Sequence, residues 1–180
     1  MRGAPNQGFS LLELLLVLII LGIVAMVAVP GLPSGDLKRL ELAAGEIAGA
    51  IRYARSEAIR TGEPKGFQLQ STKPRIRVIS LDTSSNPWAP IYDVEHPGVH
   101  NYYDIELASN PYTRVDGITR NASFHGTCNN PDLIYFDASG IPSCGDSGSA
   151  VVDQYEMTLS YGSQARVISL HGITGRVTVQ

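Results

Sequence analysis

Between Phe9 and Val29 lies a run of 21 residues, FSLLELLLVLIILGIVAMVAV, interrupted by a single charge at Glu13. At 1.5 Å per residue such a helix is about 31 Å long, enough to cross the hydrocarbon core of a bilayer. A short, polar and basic segment of eight residues, MRGAPNQG, precedes it. Arg2 among them holds the N-terminus on the cytoplasmic side and directs the rest of the chain outward. A secretory signal has a shorter apolar core followed by a small-residue cleavage site. Here the apolar stretch is too long, and cleavage within VAVPGLPSG is not favoured. A plain single-pass anchor leaves Glu13 unexplained. A carboxylate at that depth costs on the order of several kcal/mol unless it is paired, and no basic residue lies within the run. Gly22 and Pro30 are the two positions where this helix is expected to bend.

Periodicity then defines a second helix. From Asp36 to Thr61 apolar residues recur at Leu37, Leu40, Ala44, Ile47, Ile51, Ala54 and Ala58, alternating steps of three and four along one stripe. Ser34 serves as N-cap, and Asp36 sits in the first turn. Gly62 ends the helix and Pro64 prevents its continuation. The alanines on the stripe favour close packing on a sheet over a partner-seeking coiled coil.

Beyond Lys65 the period falls to two. Strands are expected at Gly66–Gln70, Ile76–Leu81, Tyr102–Leu107, Tyr112–Val115, Leu133–Phe136, Tyr155–Tyr161, Arg166–Leu170 and Arg176–Val179. Tyr161-Gly162-Ser163-Gln164 reads as a hairpin turn. Asp82–Asn101, with Pro87, Pro90 and Pro97, reads as a surface loop. The expected class is α+β: a long N-terminal helix, transmembrane then amphipathic, packed on antiparallel sheet. The segments are 1–8 as leader, 9–30 as transmembrane helix, 34–62 as amphipathic helix and 63–180 as a β-rich domain.

Cys128 and Cys144 are the two cysteines of the chain. They form no CxxC or Cys/His pattern, so no metal site is expected. A domain outside the cytoplasm permits a disulfide, and a bridge is favoured over two free buried thiols.

Gly8-Phe9-Ser10-Leu11-Leu12-Glu13 resembles the signal site of type IV prepilins. In that family a membrane peptidase cuts between the glycine and the phenylalanine and methylates the new amine. The resemblance therefore implies cleavage and methylation at Gly8/Phe9. It also implies that Glu13 pairs with the N-terminal amine of a neighbouring subunit, so that two costly charges neutralise each other in an apolar bundle. Arg52–Pro64, Ile134–Gly140 and Ile173–Val177 resemble segments of the GspH/FimT group of minor pilins and pseudopilins. The implied function is a structural minor subunit at or near the tip of a type II secretion pseudopilus. The alternative is a minor pilin of a type IV pilus, serving pilus assembly, adhesion or DNA uptake. The implied partners are the prepilin peptidase/methyltransferase, other minor and major pilins or pseudopilins, and the inner membrane, with the C-terminal domain in the periplasm. No cofactor is implied.

Other signals carry less. Gly145-Asp146-Ser147-Gly148 copies a serine-protease nucleophile motif, yet nothing else of that machinery accompanies it, and an enzyme is not expected. His96 and His100 are separated by Pro97 and Gly98, so no helix aligns them as ligands, and His125 and His171 stand alone. Asp137, Asp146 and Asp153 form no dense calcium-loop run. Asn121-Ala122-Ser123 fits a glycosylation acceptor pattern that predicts little here. Some FimT-like minor pilins carry a Gly-Arg-x-Arg tail thought to bind DNA. Here the tail reads Gly175-Arg176-Val177-Thr178, and the chain is acidic, with net charge -3. Nucleic acid is therefore not an expected partner. Trp88, Tyr92, Tyr102 and Tyr103 are candidates for an aromatic contact patch.

Overall fold

The computed structural model describes residues 10–28, 35–145 and 150–180. The chain divides into two compact units, Met1–Ser34 and Gly35–Gln180. In the first unit, α1 spans Leu11–Ala28 and runs through Gly22 without interruption. Gly8, Phe9 and Pro30 lie outside the described residues, as do Asp146 and Ser147.

The second unit opens with α2 (Gly35–Thr61). Asp36 and Arg60 sit in its first and last turns, each complementing the helix dipole. Gly62 adopts a left-handed φ of 71° and its N–H closes the helix on the Ala58 carbonyl at 2.9 Å. Leu40, Ala44, Ile47, Ile51, Ala54 and Ala58 are fully buried, and Ala43, Ala48 and Ala50 widen the stripe. Leu37 is only half-buried.

The strands that follow are β1 (Lys65–Gln70), β2 (Arg75–Asp82), β3 (Ala89–Ile91), β4 (Glu95–His96), β5 (Val99–Tyr102), β6 (Asp104–Glu106), β7 (Gly117–His125), β8 (Leu133–Phe136), β9 (Pro142–Cys144), β10 (Val151–Tyr161), β11 (Gln164–His171) and β12 (Val177–Val179). Their main path runs β12-β11-β10-β9-β8-β1-β2-β3, with β6 added to β2 and β7 to β10, while β4 and β5 form a separate ribbon. All recorded pairings are antiparallel. The β1–β2 and β10–β11 hairpins set Lys65 opposite Ser80 and Tyr161 opposite Gln164.

One face of the sheet packs on α2. There Phe67 meets Phe136 and Tyr155 with ring centroids 6.4 and 5.9 Å apart. Strand alternation sends Ile79, Leu81, Leu133 and Tyr135 to the opposite face, where Trp88 partly covers them.

Several sequence expectations need correction. Asp82–Asn101 is not a continuous loop, because it supplies β3, β4 and the start of β5. The expected strand Tyr102–Leu107 is split at Tyr103. The Tyr103 N–H donates to the Val94 carbonyl at 2.7 Å, and its carbonyl accepts the Val78 N–H at 3.0 Å. That residue therefore joins the β4–β5 ribbon to the main sheet. Tyr112–Val115 is not a strand. It begins in a turn that buries Thr113 and Val115, and the Val115 N–H bonds the Leu107 carbonyl at 3.2 Å. The sequence reading missed β7, a nine-residue strand, and the three-residue β9.

Candidate functional site: an apolar helix and the surfaces of the domain

Leucine and isoleucine dominate α1, with no polar face to set against them. Every large apolar side chain from Leu11 to Val24 is at least 48% exposed within this single chain. A continuous apolar surface of that extent marks a membrane or partner contact. Glu13 lies in the first turn of α1, where the positive end of the helix dipole favours a carboxylate. The N–H groups of Glu13 and Leu14 reach the Ser10 carbonyl at 3.0 and 3.2 Å. Among the described residues no helix is long and apolar enough to cross a membrane. The stretch Phe9–Val29 extends past those residues at both ends.

Cys128 and Cys144 are joined by a disulfide, with Cα atoms 5.7 Å apart. The bridge ties the segment after β7 to β9. Asp137 shapes the turn before it, accepting the N–H groups of Ser139 and Ile141 at 2.8 and 2.9 Å. Asp153 instead accepts the Ser123 hydroxyl at 3.4 Å, far along the chain from Asp137. His96 Nδ1 accepts the Gly98 N–H at 3.0 Å, so this histidine organises its own hairpin. Among the described residues no group of three His, Cys, Asp or Glu side chains is placed to hold a metal ion. Asn121 is exposed on β7.

The four candidate aromatic residues do not form one patch. Trp88 packs edge-on against Tyr135 with centroids 5.2 Å apart. Tyr103 is buried and stacks on Tyr53 at 5.2 Å. Tyr92 and Tyr102 stay exposed and, together with the mostly buried Tyr103, line a cleft of about 200 Å³ with Arg77 and Asp104. Arg77 lies over the Tyr92 ring at 5.0 Å and donates to Asp104 at 3.1 Å.

Electrostatic perturbations are structural in character. Burial pushes the Tyr155 phenol well above its ordinary value, while Arg120 opposes the shift and Asp132 adds to it. The Tyr155 hydroxyl donates to the Pro131 carbonyl at 3.1 Å. Hydrogen bonding from Arg60 lowers the Glu57 carboxyl.

Sequence reasoning singled out Arg176 alone at the C-terminal end. In the fold, Arg52, Arg55 and Arg176 line one depression. No spacing rule finds that cluster, because Arg52 on α2 and Val177 on the closing strand are 125 residues apart in sequence.

Comparison with known proteins agrees with these features. Residues 4–29 match the prokaryotic N-terminal methylation motif. The minor pilin FimU of Pseudomonas aeruginosa (strain PAO1) superposes with a TM-score of 0.52 at 16% identity, covering 82% of this chain and 92% of that one. The minor pseudopilin EpsH of the Vibrio cholerae type 2 secretion system gives 0.50 at 11% identity, covering 79% and 94%. An N-terminal helix packed against a large antiparallel sheet, behind a methylation motif, defines a pilin-like protein. The chain belongs to the family described as type II transport protein GspH, whose model matches residues 43–173. Type II secretion system protein H of Xanthomonas campestris pv. campestris is 39% identical over 70 residues, which span 38% of this chain and 41% of that relative.

Proposed function

We propose that this protein is a structural minor subunit of a type II secretion pseudopilus and not an enzyme. Residues 1–8 are its leader. Prepilin peptidase removes them between Gly8 and Phe9 and methylates the new amine. Residues 9–30 anchor the chain in the inner membrane and later pack in the filament. Residues 34–62 carry the helix into the domain, and 63–180 form the β-rich part in the periplasm. Glu13 fixes register by pairing with the N-terminal amine of a neighbouring subunit, a charge pair that an apolar bundle tolerates only when both partners are present.

The observation that supports this reading is the union, on one chain, of a methylation motif at residues 4–29 and a GspH-type domain at 43–173. The exposed aliphatic surface of α1, with one carboxylate in its first turn, is the surface such assembly needs. A minor pilin of a type IV pilus would share the motif and the fold, so a secretion phenotype separates the two readings. In a strain lacking this gene, enzymes normally released to the medium should accumulate in the periplasm, and a plasmid copy should restore their release. Unchanged secretion would overturn the pseudopilus assignment.

A further inference from the structure

From the seam between α2 and β12 we infer a docking site for an acidic segment of a neighbouring filament subunit. The identity of that partner rests on the filament-subunit reading, whereas the chemistry rests on the seam itself. Arg52, Arg55, Ile59, Thr174, Arg176 and Val177 line a surface depression of about 330 Å³. Arg52 Nη2 donates to the Val177 carbonyl at 3.0 Å and Arg55 Nε to the Gly140 carbonyl at 3.1 Å. Each bond uses one of the five N–H donors of its guanidinium. The Arg176 side chain is exposed and makes no hydrogen bond or ion pair among the described residues.

The grouping of these guanidinium groups points to the chemistry of the ligand. Arg39, Arg60, Arg75, Arg77, Arg120 and Arg166 all pair with carboxylates. Among the described residues Arg52, Arg55, Arg176 and Arg114 form no ion pair, and the first three share one depression, in a chain whose net charge is -3. Their remaining donors match the geometry of carboxylates, which guanidinium groups bind as charge-assisted and often bidentate pairs. Apolar contacts complete the surface. Ile59 is 49% exposed at the rim, and Ile173, beside Thr174, is 90% exposed. Arginine with exposed aliphatic side chains is the composition of a protein contact.

A nucleic acid fits less well. Three cations neutralise few phosphates, and affinity for DNA grows with the number neutralised.

The test uses the full chain in detergent micelles, with fluorescence anisotropy as the readout. The probes are a labelled peptide of alternating glutamate and valine, its glutamine counterpart, and a short DNA duplex. The glutamate peptide should bind, the glutamine peptide should not, and the DNA should bind more weakly than the glutamate peptide. Arg176→Gln, which removes no contact within the fold, should weaken glutamate-peptide binding about fivefold, the upper range for one exposed charged pair. Adding Arg52→Gln should abolish it. Equal binding by Arg176→Gln, no preference for glutamate over glutamine, or tighter binding of DNA would each overturn the inference. In cells, the Arg176→Gln chain should be processed normally yet recovered from sheared filaments in reduced amount. Undiminished recovery would count against the docking site. A wild-type chain that is not processed would count against the filament reading instead.

Discussion

Arg55 donates from Nε to the carbonyl oxygen of Gly140 at 3.1 Å, and this bond ties α2 to the turn that follows β8. Gly140 holds a left-handed φ of 78°. A Cβ there would stand 2.8 Å from Ile59 Cδ1 and 2.9 Å from Arg55 Nε. Gly140→Ala therefore combines backbone strain with a collision against the helix. It should destabilise the domain by about 1–3 kcal/mol. A urea titration checks this, and an unshifted midpoint would mean that the turn relaxes freely.

The disulfide closes a loop between residues 16 apart in sequence. In the chain-entropy model a loop of that size contributes about 3 kcal/mol. Reduction with dithiothreitol should lower the urea midpoint accordingly while leaving the far-ultraviolet circular dichroism of the folded state intact. No change in midpoint on verified reduction would show that the bridge adds nothing to stability.

Tyr155 is fully buried, and burial raises its phenol above the ordinary value. A group whose pKa is raised on folding contributes stability that is present below its unfolded pKa and lost as pH rises. Stability should therefore fall as pH climbs above about 10, the ordinary tyrosine value. Tyr155→Phe should remove part of that alkaline slope, at a cost near neutrality of about 1 kcal/mol for the bond to Pro131. Tyr53, Tyr103 and Tyr135 are also raised, mainly by burial, and keep the remainder of the slope. An unchanged slope in the variant would assign the alkaline effect to those three.

Glu13→Ala removes the single charge of the apolar run. The variant should remain in the membrane fraction and be nearly absent from sheared filaments. Normal incorporation would remove the charge-pairing role. Gly8→Ala should leave an unshortened precursor on a denaturing gel, and normal maturation would place the cleavage elsewhere.

Much of the fold is written in local patterns. The three-and-four spacing of α2 marked its buried stripe, and Gly62 marked its end, because both follow from the geometry of one helix. The β1–β2 and β10–β11 hairpins carry alternation and turn residues within short windows. By contrast, β7 (Gly117–His125) was not foreseen. Arg120 falls in the same alternating set as Ile118, Ala122 and Phe124 but is exposed and pairs with Asp132, so the apolar alternation is interrupted. Tyr112–Val115 shows the reverse error. Thr113 and Val115 alternate like a strand, yet they fill the core from an irregular segment.

By itself the sequence determined the α+β class, the apolar N-terminal helix with its lone Glu13, and membership of the pilin-like GspH group. Those properties depend on residues a few positions apart, where periodicity and motif spacing act. Only the tertiary structure decided that Tyr103 joins two sheets, that the three tyrosine candidates line one cleft while Trp88 packs on Tyr135, and that Arg52, Arg55 and Arg176 share one depression. Such meetings join residues from distant parts of the chain. They are set by how the whole domain buries its apolar faces together, and no local window contains that information.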